Sequence, residues 1–142
     1  MTDIIDGNVV LLTHLLADVP LGVLVADRIY VPNLPENVTL PAVCMETRGG
    51  ESTPYIPGWR AHSVQITTWA KGSQGYIDAR KVYRAIYNCL QGIQNQDVVI
   101  GLNTYQILSA SEETIGQDVQ DPEVLGYYSV LSFWEILIRA EL

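Results

Sequence analysis

Apolar and polar positions along this chain follow the period of a helix in some segments and the period of a strand in others. Near the start, apolar residues recur at spacings of three and four, which predicts a helix over about 9–17 with Asn8 as its N-cap. A second segment, "GYIDARKVYRAIYNCLQG", has the strongest helical pattern, and it predicts a helix over about 76–91 that ends at Gly92. These two helices are the expected covering layer of a sheet.

Strand patterns outnumber the helical ones and fall into two groups of three. The first group is predicted at Arg28 to Val31, at Ala42 to Thr47 and in "RAHSVQITTWAK", where Val64 and Ile66 share one face. The second group is predicted in "DVVIG", "TYQILSASEET" and "GYYSVLSFWEILI". Both faces of the last strand are largely apolar, so we expect that strand to be central in the sheet or covered on both sides.

This order predicts one α+β domain over residues 1–142, with a mixed, mostly antiparallel sheet flanked by two helices. After the N-terminal helix, the predicted order is three strands, a helix and three strands. Two long loops are predicted, at about 48–59 and 112–126. A compact domain rarely carries a dozen unstructured residues unless they contact something, so the first loop is a candidate binding element or a mobile surface loop.

Charge narrows the classes of function. The chain carries sixteen acidic and eight basic side chains, a formal charge of −8, and no basic cluster that could neutralise several phosphates. Specific binding of nucleic acid is therefore not expected. The longest apolar run near the start is broken by polar residues and Pro20, which predicts neither a signal peptide nor a membrane span, and we expect synthesis in the cytoplasm.

The residues that usually carry catalysis form no recognisable motif. Cys44 and Cys89 belong to no metal-binding or redox spacing, and "GSQG" lacks the lysine of a phosphate-binding loop. Either cysteine could in principle pair with His14 or His62 as nucleophile and base. The sequence nevertheless predicts no enzyme, no metal site and no cofactor, and buried structural roles for both cysteines.

The segments "RIYVPNLPENVTLPAVCMETRGG", "ITTWAKG", "GYIDARKVYRAIYNCLQG" and "YYSVLSFWEILI" resemble, in their order and spacing, the tail-completion or tail-terminator family of long-tailed bacteriophages. The resemblance covers nearly the whole chain. It implies a structural virion protein of the tail and neck that forms a ring, usually a hexamer. Such a ring caps the tail tube, ends its polymerisation and joins it to the head connector, while double-stranded DNA passes through without specific binding.

The implied partners are therefore other copies of the chain, the tail tube protein and the head–tail connector protein, with no membrane. Two alternatives stay open: another neck protein, such as a head-closure component, and a monomeric ligand-binding or enzymatic α+β domain. Candidate contact residues for subunits or partners are Arg48, Tyr55, Trp59 and Trp69. A lumen or rim that repels DNA is predicted for the acidic residues Glu112, Glu113, Asp118, Asp121 and Glu123. A solvated outer loop would explain the same residues equally well.

Overall fold

The computed structural model describes residues 6–52, 55, 58–120 and 126–140. Within these ranges the chain forms three helices and six strands. In chain order they are α1 (Gly7–Leu16), α2 (Val19–Val25), β1 (Ile29–Tyr30), β2 (Ala42–Ser52), β3 (Trp59–Lys71), α3 (Gly75–Leu90), β4 (Gln94–Ile100), β5 (Asn103–Gln120) and β6 (Tyr127–Ala140).

All six strands belong to one curled sheet in the order β1-β2-β3-β6-β5-β4. The short β1 pairs with β2 in parallel, and every other neighbouring pair is antiparallel. The predicted α+β class with a mixed, mostly antiparallel sheet is therefore confirmed. The final strand, β6, lies between β3 and β5, which explains why both of its faces are largely apolar.

The helices pack against one face of the sheet, which we call the inner face. Alternate residues of β6 on this face are buried, and Trp134 and Ile136 are fully so. They meet Val82, Ile86 and Leu90 from the buried side of α3 in one continuous core. Because burial of each such side chain stabilises the fold by about 1.5–3 kcal/mol, this contact holds the helix layer on the sheet.

The first two helices begin at aspartate caps. The Asp6 side chain accepts a hydrogen bond from the Asn8 backbone N–H (2.9 Å), so the prediction of Asn8 as N-cap was wrong by two residues. The Asn8 side chain instead accepts a hydrogen bond from the Thr47 hydroxyl (2.6 Å). Asp18 caps α2 by accepting from the Leu21 N–H (3.0 Å). That helix was not predicted, although Pro20 lies in its first turn, where proline is favoured.

No single described helix has the length and apolar composition to span a membrane. Taken together, α1 and α2 have the length and the apolar composition of a span, but their axes bend by 87° at the junction.

Two strands extend into segments that were predicted as loops, so both loop predictions were wrong over part of their length. β2 continues to Ser52, so residues 48–52 of the first expected loop lie in a strand. β5 continues to Gln120, so residues 112–120 of the second expected loop also lie in a strand. In each strand, irregular pairing interrupts the alternation of apolar and polar residues by which a strand is recognised in a sequence. The register shifts once in β2, between Thr47 and Gly50, and three times in β5.

Candidate functional site

The four predicted contact residues do not form one patch. Tyr55 and Trp59 lie at the turn end of the β2–β3 hairpin, where Tyr55 is 90% exposed and Trp59 is half-buried. Trp69 lies ten residues farther along β3, roughly 33 Å away for an extended strand. Arg48 lies in β2 instead of the predicted loop. If these residues contact partners, they contact them at separate places.

Arg48 is engaged on the outer face of the sheet, which is the face away from the helices. Its guanidinium donates a hydrogen bond to Gln65 Oε1 (2.6 Å) and lies 5.9 Å from the centre of the Phe133 ring. Gln65 and Phe133 are opposite one another on β3 and β6. Arg48 therefore ties β2 to β3 and β6 across this face, which is a structural role within the chain itself.

Trp69 also lies on the outer face, in the phase that the polar alternation predicts. Pairing of β3 with β6 is continuous from Trp59 to Lys71, so no bulge shifts the strand there. A cavity of about 260 Å³ separates Trp69 from the segment before β2, and its walls include Leu34, Leu40 and Tyr127. Residues of the same chain therefore line the space beside Trp69.

The predicted acidic segment divides into residues with different surroundings. Glu112 and Asp118 face α3 and are bonded to it. Glu113 is exposed where the β5 register shifts. Asp121 and Glu123 lie outside the described residues. The three carboxylates that the structure describes therefore do not form a single acidic surface.

A set of polar contacts fastens the bulged part of β5 to α3, and we call this set the clamp. Arg80 Nε donates to Asp118 Oδ1 (2.8 Å), and Arg80 Nη2 donates to the carbonyl of Gly116 (3.1 Å). The Tyr83 hydroxyl donates to Glu112 and accepts from the Gly116 N–H (3.1 Å). Finally, Gln91 Oε1 accepts from the Glu112 N–H (2.9 Å).

Electrostatics of the clamp follow from these contacts. The hydrogen bond to Asp118 raises the pKa of Arg80, so its charge is retained. Burial raises the pKa of Tyr83, and the hydrogen bond to Glu112 raises it further, so the phenol stays protonated and able to donate. The sequence analysis missed this pairing because its partners are 29 to 38 residues apart. The available signal was the polar edge of the helix, where Arg80 and Tyr83 are three residues apart.

Beside the clamp, an open groove of about 520 Å³ runs along the exposed side of α3 and the bulge of β5. We call it the α3 groove, and its lining residues are Arg80, Tyr83, Arg84, Tyr87, Gln91, Glu112 and Ile115. Ile115 is 76% exposed and Tyr87 is also exposed. Tyrosine and arginine are among the residue types most often found at the energetic centres of protein interfaces. The groove therefore combines exposed aromatic, aliphatic and cationic side chains of the kinds found at protein interfaces.

One cysteine and one histidine meet, as an enzyme would require. Cys89 Sγ lies 3.5 Å from His14 Nε2, between α3 and α1. Burial raises the pKa of the Cys89 thiol to about 12, and nearby Asp18 contributes to that rise. A thiol with that pKa is almost wholly protonated near pH 7, and the protonated form is a poor nucleophile. The protonated Cys89 thiol therefore suits a packing contact between α1 and α3.

The pKa values of the other two candidate groups, Cys44 and His62, are also shifted by burial. Burial raises the pKa of Cys44, and burial lowers the pKa of His62. Among residues 6–52, 55, 58–120 and 126–140, no three His, Cys, Asp or Glu side chains are placed to hold a metal ion. No protein-family model matches the chain, and no curated protein sequence matches it.

Proposed function

We propose that this chain is a structural subunit of a phage tail, a terminator that assembles into a ring on the end of the tail tube. Two long hairpins on one sheet support the proposal. At 18 residues β5 spans roughly 60 Å, whereas the 16 residues of α3 span roughly 24 Å. α3 therefore covers only part of the length of β5, and we infer that part of the remaining strand contacts neighbouring molecules.

The element order supports the same proposal. The "RIY" and "AVCMET" strands, the "ITTWAKG" strand, the "GYIDARKVYRAIYNCLQG" helix and the "YYSVLSFWEILI" strand fold in the order that the resemblance implies. The partners in this proposal are other copies of the chain, the tube protein and the connector protein. The place of action is the virion, after assembly in the host cytoplasm.

Assembly of the purified protein tests the proposal. We expect light scattering coupled to size-exclusion chromatography to give a mass near six chains, and negative-stain images to show rings with a central hole. A stable monomer over the micromolar range would contradict the ring and would favour the monomeric ligand-binding or enzymatic alternative. Adding rings to polymerising tail tubes then separates a terminator from another neck protein. A terminator caps tube ends and fixes their length, whereas a head-closure component leaves them growing.

A further inference from the structure

We propose that the α3 groove of one subunit receives the acidic connection between β5 and β6, residues 120–126, of the neighbouring copy in the ring. This inference rests on the proposed function, because it names the contact that would join adjacent subunits.

The groove has unused capacity to bind carboxylates. Among its cations, Arg80 is already paired with Asp118. Within the part of the chain that the structure describes, no hydrogen bond or ion pair engages Arg84, which is exposed on the same helix. Its guanidinium therefore offers five N–H donors to a ligand, in the fork geometry that fits a carboxylate. Tyr87 and Ile115 add exposed apolar surface beside that charge.

The connection has the complementary composition. Residues 120–126 read "QDPEVLG", with two carboxylates, two branched apolar residues and no cation. No basic residue occurs anywhere from 112 to 126. Glu112 and Asp118 precede the connection and are engaged by the clamp of their own subunit. The acidic residues within the connection are Asp121 and Glu123. Opposite charge would guide the connection to Arg84, and Val124 and Leu125 would pack on the apolar part of the groove.

Position favours a neighbouring copy over the same copy. The connection returns to the sheet beside the N-terminal end of α3, where the Gly72 N–H donates to the carbonyl of Gly126 (2.9 Å). The groove lies farther along the helix, from Arg80 to Gln91, roughly 8 to 24 Å beyond Gly75. Connection and groove thus belong to different parts of one subunit. A contact between different surfaces is heterologous, and repetition of such a contact can close into a ring.

A charge exchange tests the contact. We expect Arg84→Glu to raise the protein concentration needed for half-maximal ring formation at least about tenfold, and the double variant Asp121→Lys, Glu123→Lys to do the same. Combining all three substitutions in one chain should restore rings, because each altered groove then meets an altered connection. Mass photometry over a concentration series measures assembly, and the thermal midpoint of each variant confirms folding. Lys81→Glu is the matched control, since Lys81 is an exposed cation of α3 outside the groove.

The outcomes separate this inference from the proposed function. If wild-type protein forms rings and Arg84→Glu assembles no worse than Lys81→Glu, the ring stands and the groove contact is wrong. If Arg84→Glu prevents assembly but the triple variant does not recover it, the groove receives a different segment and the proposed occupant is wrong. If wild-type protein forms no ring, both proposals fall. Loss in each charge-reversed variant with recovery in the triple variant supports the contact.

Discussion

At the scale of single residues, His62 connects stability to pH. Its ring is 8% exposed and lies against the first turn of α1, where a Cβ on Gly7 would come within 2.5 Å of His62 Cε1. Burial lowers the pKa of His62 below its ordinary value, and the nearby Arg60 lowers it further, while Asp6 opposes the shift. The neutral imidazole is therefore the form that fits the folded protein.

We expect the free energy of unfolding to fall as the pH falls below about 6.5, the ordinary histidine pKa. Above that pH the imidazole is neutral in both states, whereas below it the unfolded chain takes up the proton more readily than the folded one. Thermal midpoints between pH 8 and pH 5 measure the effect. The variant His62→Gln should lose part of this pH dependence, and identical profiles for the two proteins would contradict the prediction.

Cys89 gives a second prediction at this scale. With a pKa of about 12 in place of 9.0, its thiolate fraction at pH 8 is smaller by about a thousandfold. Native protein carrying Cys44→Ser should therefore react with iodoacetamide far more slowly than a free thiol, and unfolding in urea should restore the ordinary rate. Mass spectrometry of quenched samples measures both rates. Fast labelling of native Cys89 at pH 8 would revive the enzymatic alternative.

At the scale of elements, the bulge in β2 depends on two glycines with positive φ. Gly49 has φ +93°, and a Cβ at this position would meet no atom within 4 Å, so only backbone strain opposes an alanine. Gly50 has φ +141°, and its Cβ would lie 1.9 Å from the carbonyl oxygen of Ala61 on β3. Alanine at position 49 would therefore introduce backbone strain alone, whereas alanine at position 50 would add a steric clash with β3.

We expect Gly49→Ala to cost about 1–3 kcal/mol and Gly50→Ala to cost more, because the strand must move away from β3 to relieve the contact. Urea denaturation followed by circular dichroism gives both values. Equal costs would mean that β2 shifts freely at the bulge and that the close approach to β3 is unimportant.

Elements with a regular period were predictable and irregular ones were not. α3 has a buried stripe at helical spacing, and β6 is a long and largely apolar run, so both were found within about two residues of their bounds. In β5 the register shifts break the alternation of apolar and polar residues. Its carboxylates also make the sequence look like that of a solvated loop, although α3 donates hydrogen bonds to them in the fold. The sequence places Arg80 and Tyr83 on one edge of the helix, but only the folded sheet shows that Asp118 lies beside Arg80.

At the scale of the whole molecule, the role of Trp59 distinguishes assembly from folding. Trp59 is half-buried at the turn end of β3, whereas Trp134 is fully buried in the core. We expect Trp59→Ala to weaken ring formation in mass photometry more than it lowers the free energy of unfolding. Trp134→Ala is the folding control and should cost about 3–5 kcal/mol. Equal loss of assembly and folding in Trp59→Ala would assign Trp59 to the core.

The net charge predicts how the proposed ring would interact with double-stranded DNA. Six copies would carry six times the formal −8 of one chain, so a duplex in the channel meets net repulsion and no strong phosphate contacts. Fluorescence anisotropy with a labelled duplex in about 50 mM salt should detect no binding at micromolar protein, because low salt exaggerates electrostatic attraction. Saturable binding under these conditions would contradict the proposal that DNA slides freely.

The clamp between α3 and β5 has a mechanical consequence. A hairpin pulled at its tip ordinarily unzips, since its cross-strand hydrogen bonds are loaded one after another. Here a pull on the β5–β6 connection passes through Asp118 and Gly116 to Arg80, and from there to a helix whose opposite side is anchored by Val82 and Ile86 in the core. The clamp therefore gives a force at the connection a second path into the core, in parallel with the cross-strand hydrogen bonds of the hairpin.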